Sequence, residues 1–62
     1  MKRSTALKNV IRLAQRRRNT LLKRLDLACA RADDIAADRI SDSLYFENEL
    51  IYNATKDLEA AE

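Results

Sequence analysis

The chain has 62 residues, with twelve Lys/Arg and ten Asp/Glu but no His, Gly or Pro. A domain this short has a core worth only about 3–5 kcal/mol, and its single cysteine cannot form an internal disulfide. We therefore expect self-association to reinforce the fold. The absence of histidine argues against a zinc or haem site, so no metal or other cofactor is expected.

No apolar run approaches the roughly 18 residues of a membrane span, and the N-terminus lacks the apolar core of a signal peptide. We expect a cytoplasmic protein with no membrane partner. Charge is divided unevenly along it: residues 1–31 hold ten Lys/Arg and one Asp, whereas residues 32–62 hold nine Asp/Glu and two bases. The two halves can attract each other, and the first half offers a basic surface to a polyanion.

Helix-forming residues throughout, with no Gly or Pro, predict an all-α fold. At 100° per residue, a first helix from about residue 4 to residue 31 has one apolar face. Its members are Leu7, Ile11, Ala14, Leu21, Leu22, Leu25 and Cys29. Arg18 is the one charged residue among them, and Cys29 is expected to be a small core residue without chemistry.

A second helix, from about residue 34 to residue 60, has a similar face. Its members are Ala36, Ile40, Leu44, Ile51, Ala54 and Leu58. Glu47 interrupts this face as Arg18 interrupts the first. In an antiparallel hairpin, the sequence numbers of two residues that face each other have a constant sum, and a sum of about 65 pairs the two apolar faces. This register places Arg18 opposite Glu47 in a charged core layer. Either the two charges lie in the core and specify the register of the helices, or both side chains extend to solvent at the edge of the bundle.

The same register places a turn near residues 32–33, where Asp33 or Asp34 can cap the second helix. A single long helix, paired antiparallel in a dimer, would satisfy the register equally, but the cap signal favours the hairpin. A further apolar strip is left uncovered by one hairpin. It contains Val10, Leu21, Ile35, Phe46 and Leu50. We therefore expect a homodimer in which two antiparallel hairpins form a four-helix bundle.

The outer surface of the first helix carries the candidate binding residues. Those expected to contact the phosphates and bases of a nucleic acid are Lys2, Asn9, Arg12, Leu13, Arg16, Arg17, Lys23 and Arg24. The cations would contact phosphates, Asn9 would offer polar readout, and Leu13 would make an apolar contact. The alternative is a solvated face whose charge balances the acidic second helix.

Tyr45, Phe46 and Tyr52 on the second helix are candidates for contact with a protein partner, because aromatic residues are enriched at interfaces. The chain has no His, no glycine-rich loop and no Ser/His arrangement, and two helices form no deep cleft. We therefore expect no catalytic residues and no small-molecule substrate.

Several short blocks of the chain resemble the Rop family of plasmid RNA-binding proteins. In the first helix these are Thr5-Ala6-Leu7, Asn9, Arg12, Thr20-Leu21-Leu22 and Leu25. In the second they are Ala37-Asp38, Ser43-Leu44, Glu49-Leu50 and Tyr52. The resemblance implies a homodimeric four-helix bundle that binds paired RNA loops through its first helices. Leu13 departs from the family, which has an aromatic residue there.

Together these patterns predict a small regulatory protein that clamps structured RNA with the basic face of its first helix. The alternative is a helical adaptor or inhibitor that docks on an acidic surface of a protein partner. That surface would be one that ordinarily receives nucleic acid. A purely structural assembly helix is the third hypothesis; it predicts no affinity for nucleic acid at moderate salt.

Overall fold

The fold is a hairpin of two long helices. The computed structural model describes residues 2–61, in which α1 spans Arg3–Ala30 and α2 spans Asp34–Ala61. Each helix has 28 residues, which at 1.5 Å per residue agrees with the 44 Å long dimension of the molecule. The helices pack against each other, and residues 2–61 contain no strand. The predicted all-α hairpin is confirmed, and the single long helix is not the structure this chain adopts.

The turn between the helices ends α1 in a Schellman motif. The Asp33 N–H donates to the carbonyl oxygen of Ala28 at 2.9 Å, and the Ala32 N–H donates to that of Cys29 at 3.1 Å. Ala32 has a φ of 55°, in the left-handed region that glycine usually occupies. The side chain of Ala32 makes this conformation cost about 1–2 kcal/mol.

Asp33 begins α2 by capping it. Its Oδ1 accepts a hydrogen bond from the Ala36 N–H at 3.1 Å, which satisfies one of the free donors of the first turn. Asp34 adds a negative charge near the positive end of the helix dipole. The predicted cap is therefore confirmed, and Asp33 is the residue that supplies it.

Burial along the seam between the helices repeats every seven residues, in alternating steps of three and four. On α1 the buried or half-buried series is Leu7, Ile11, Ala14, Arg18, Leu21, Leu25 and Ala28. On α2 it is Ala37, Ile40, Leu44, Glu47, Ile51, Ala54 and Leu58. This repeat is that of a left-handed coiled coil, in which each helix winds slightly around its partner.

The predicted core membership of two residues is corrected. Cys29 is exposed and Leu22 is 44% exposed, while Ala28 is buried in the place expected for Cys29. The prediction used the 3.6-residue period of a straight helix, which drifts by about 20° per heptad from the 3.5-residue repeat of the seam. The drift accumulates along α1 and shifts the buried position near its end by one residue.

The core of the single hairpin is thin. Its buried residues are Ala14, Ala28, Leu44 and Ala54, and no large side chain within residues 2–61 is fully buried. Most of the predicted second apolar strip lies on the surface, with Val10, Ile35, Phe46 and Leu50 all more than a third exposed. No helix in residues 2–61 is both long and apolar enough to cross a membrane.

Replacing Ala32 with glycine should stabilise the protein. Ala32→Gly removes the steric cost of a positive φ, and part of the gain is offset by the greater freedom of glycine in the unfolded chain. We expect the free energy of unfolding in urea to rise by about 0.5–1 kcal/mol. Ala30→Gly is the matched control, because Ala30 is helical and the same change there should lower stability.

The one-residue correction at the end of α1 can be tested with a pair of substitutions. Ala28→Leu places extra atoms in the packed seam and should lower the free energy of unfolding by about 1–3 kcal/mol. Cys29→Leu adds its atoms at an exposed position and should change stability by less than about 0.5 kcal/mol. Urea unfolding of both variants measures this; a larger loss for Cys29→Leu would contradict the heptad assignment.

Candidate nucleic-acid interface

The two helices carry opposite charge. α1 contains eight Lys/Arg and one Asp, whereas α2 contains seven Asp/Glu and two bases. The cations predicted to bind RNA are all exposed. They are Lys2, Arg12, Arg16, Arg17, Lys23 and Arg24. Leu13 is 51% exposed, whereas Asn9 is half-buried and already engaged in a polar contact.

The heptad repeat divides these residues between two lines on α1. Lys2, Asn9, Arg16 and Lys23 are seven apart and form the outermost line, directly opposite the seam. This line extends for about 31 Å at 1.5 Å per residue, which is long enough to pass several phosphates of a nucleic-acid strand. Arg12 lies beside this outermost line. Arg17 and Arg24 form the second line, at the edge of the seam.

The second line borders an open groove of about 440 Å³ between the helices. Arg16, Arg17, Arg24, Thr20, Ser43 and Glu47 line it. The hydroxyls donate inside their own helices, Thr20 to the Arg16 carbonyl oxygen and Ser43 to the Arg39 carbonyl oxygen, each at 3.2 Å. Because those protons are in use, only the arginines remain as donors toward an anion in this groove.

Glu47 pairs with Arg17 at the groove. The Arg17 Nε donates to Oε1 of Glu47 at 2.9 Å, with the side chain of Arg17 53% exposed and that of Glu47 18% exposed. Oε2 of Glu47 is buried and has no hydrogen-bond partner within residues 2–61. An unpaired carboxylate oxygen removed from water is unfavourable, so this charged contact is incomplete in the isolated hairpin.

Arg18 and Glu47 both lie on the seam in the predicted layer, but the ion pair of Glu47 is formed with Arg17. Arg18 is half-buried on the seam, and no ion pair of Arg18 is found within residues 2–61. Its guanidinium would have to lose its hydration to meet Glu47 between the helices, which is costly. Arg17, at the edge, reaches the same carboxylate while its guanidinium stays largely in water. Sequence reasoning found Glu47 and missed its partner by one residue.

The aromatic residues of α2 lie outside the seam. Tyr45, Phe46 and Tyr52 are each more than half exposed. The rings of Tyr45 and Phe46 meet edge to face at 6.0 Å, and the ammonium of Lys56 lies 4.9 Å from the ring centre of Tyr52. Tyr45 and Tyr52 are seven apart and share one line along α2, and Phe46 contacts Tyr45 from the adjoining line.

Double-mutant cycles should assign the charged contact to Arg17. The cycle of Arg17→Ala with Glu47→Ala should give a coupling free energy of about 0.5–1 kcal/mol, because one partner is more than half exposed. The cycle of Arg18→Ala with Glu47→Ala should give less than about 0.3 kcal/mol. Both values come from urea unfolding at equal protein concentration. A larger coupling for Arg18 would restore the pair predicted from the register.

The hairpin agrees with the fold that the resemblance to the Rop family implies. Helical hairpins occur in many unrelated proteins, so this agreement says nothing about kinship. Comparisons of the chain with protein-family models, curated proteins and solved structures found no match. The relation to Rop stays a prediction from the residues quoted above.

Proposed function

We propose that the protein is a non-enzymatic regulator that binds structured RNA on the basic outer face of α1 and acts as a homodimer. The observation that carries the proposal is the exposed cationic line of α1, opposite a helix that holds nearly all the acids. Arg12, Arg16 and Lys23 form no ion pair within residues 2–61, so their charge faces solvent. Cations in this state gain most from a phosphate, because binding releases counterions from the nucleic acid.

Structured RNA suits this face better than an isolated anion does. A-form RNA is recognised chiefly through its phosphates and 2′-hydroxyls, which requires donors spread along its length. Lys2, which immediately precedes α1, and Arg16 and Lys23 within α1 supply such donors. Leu13 beside this line offers an apolar contact to an unstacked base, and Asn9 offers an amide whose partial burial limits its reach.

Dimer formation is proposed because one hairpin buries so little. Only four residues are buried within residues 2–61, and Phe46 and Leu50 stay exposed on the surface. A second hairpin against these side chains would double the number of packed layers. The dimer would also present two copies of α1, and therefore two basic faces for RNA.

The RNA proposal is tested with charge-matched double variants. Arg16→Ala plus Lys23→Ala removes two cations from the outermost line and should weaken binding to a labelled stem-loop RNA about tenfold at 150 mM salt. The slope of log affinity against log salt should fall by about 2. Arg39→Ala plus Lys56→Ala removes the two bases of α2 and should change affinity less than about twofold.

Circular dichroism and sedimentation of both variants establish that the fold and the oligomer are unchanged. Equal weakening by the two variants would mean that only net charge matters, and an unchanged affinity for the first variant would exclude this face. Either result contradicts the proposal.

The second candidate is an adaptor that docks on an acidic protein surface, favoured by the exposure of Tyr45 and Tyr52. The variant Tyr45→Phe plus Tyr52→Phe separates the two functions, because RNA binding through α1 does not use α2. Loss of RNA affinity in this variant would argue against binding through α1 alone. A chain that binds no RNA at 150 mM salt contradicts the RNA proposal and leaves the adaptor and the structural assembly helix as alternatives.

A further inference from the structure

The two long sides of the hairpin are chemically different. Arg17 and Ser43 line the same groove, so the groove identifies one side of the seam on both helices. Val10 lies seven residues before Arg17, and Leu50 lies seven residues after Ser43, which places both on this side. Phe46, between Ser43 and Leu50 on α2, borders the same surface. We call this surface the groove side.

The opposite side of the seam is mostly polar. Its positions next to the seam are Lys8, Gln15, Leu22 and Cys29 on α1 and Ser41, Asn48 and Thr55 on α2. Leu22 is the one large aliphatic side chain among them. The groove side also holds the Arg17–Glu47 contact, with its buried unpaired oxygen. Exposed apolar side chains and a partly exposed ion pair thus coincide on one surface, where a second copy can bury apolar area and meet opposite charge.

Two hairpins that meet through the groove side, with helices aligned, can be related by only two rotations. One two-fold axis is perpendicular to the helices and brings α1 onto α1 and α2 onto α2, each antiparallel. The middle of α2 (Asp34–Ala61) is near Glu47, and the middle of α1 (Arg3–Ala30) is near Arg17. This rotation would place each Glu47 beside the second copy's Glu47 and each Arg17 beside the second copy's Arg17. Like charges would meet where water is scarce.

The other two-fold axis is parallel to the helices and brings each α1 onto the second copy's α2. Residues then keep the same height along the bundle, so Glu47 meets the second copy's Arg17. Adjacent helix axes lie about 8–10 Å apart, comparable to the Debye length of about 8 Å at 0.15 M salt. Like-charged helices fall on the diagonals, roughly 11–14 Å apart, where salt screens them more strongly.

We propose that two copies pack groove side to groove side about an axis parallel to the helices, which places the Arg17–Glu47 ion pair of each copy beside that of the other with opposite charges adjacent. This inference rests on the homodimer of the proposed function and specifies its arrangement. It places the two outermost basic lines on opposite sides of the bundle. Each dimer then has two separate RNA-binding faces, and it bridges two RNA segments instead of holding one between both α1 helices.

The lone cysteine gives a direct test. Cys29 is exposed and lies about 19 Å from the middle of α1, near the turn. With a nitroxide label on Cys29 and no RNA present, the parallel axis brings both turns to one end and predicts a label separation of roughly 25 Å by pulsed dipolar spectroscopy. The perpendicular axis puts the turns at opposite ends and predicts roughly 45 Å. A separation near 45 Å, or no dipolar coupling at all, overturns the proposal.

A charge-neutralising variant provides an independent test, because the two axes predict opposite changes in the dimerisation constant. Under the parallel axis, Glu47→Gln removes an attraction to the second copy's arginine and should weaken dimerisation about tenfold in sedimentation equilibrium. Under the perpendicular axis the same change relieves a repulsion and should strengthen dimerisation. Glu49→Gln is the matched control, since Glu49 lies on the outer line of α2 and should leave the dimer unchanged.

The distance and the dimerisation constant are measured without RNA, so they test the arrangement even if RNA binding fails. Titration of labelled stem-loop RNA then counts sites: two RNA molecules per dimer agree with opposite basic faces. One RNA per dimer contradicts the bridging consequence.

Discussion

The antiparallel seam between α1 and α2 is the constraint from which the other features of the structure follow. Its alternation of three-residue and four-residue steps decides which side chains are buried, and so leaves the remaining positions to solvent or to partners. Lys2, Arg16 and Lys23 lie outermost because they are directly opposite that seam. Arg17 lies one residue from its centre, close enough to reach Glu47 and far enough to stay hydrated. Arg17, at the edge of the seam, is therefore a structural cation, whereas Lys2, Arg16 and Lys23, opposite the seam, are exposed to solvent.

The segregation of charge between the helices acts at two levels. Within the hairpin it favours packing of the basic α1 against the acidic α2, because opposite charges attract across the seam, as Arg17 and Glu47 do. Between the hairpins of the proposed dimer, it gives different stabilities to arrangements that bury similar apolar area, because the hydrophobic effect is not directional. A small protein with few core layers gains specificity in this way without adding residues. The cost is that Oε2 of Glu47 is buried without a hydrogen-bond partner within residues 2–61.

Much of the fold could be predicted from the sequence. The apolar periodicity indicated both helices, and the Asp33-Asp34 pair indicated the start of α2 and the cap. The burial of Ala28 in place of Cys29 could not be read from a straight-helix period, because supercoiling appears only when two helices pack. The choice of Arg17 over Arg18 depends on desolvation at the seam, which a helical wheel does not represent. Exposure of the basic face was predictable, but its ligand is a question of chemistry beyond the fold.

The turn at Ala32 has a consequence for how copies of this chain can exchange partners. A left-handed alanine penalises the hairpin alone, because a chain straightened through residues 31–33 would return Ala32 to the right-handed helical conformation. The penalty narrows the free-energy gap between the closed hairpin and an extended form. An extended chain can pair its first helix with the second helix of another chain and re-form the same seam between molecules. Alanine in place of glycine at this turn thus lowers the free-energy cost of opening the hairpin, and in the proposed dimer it would favour exchange of helices between copies.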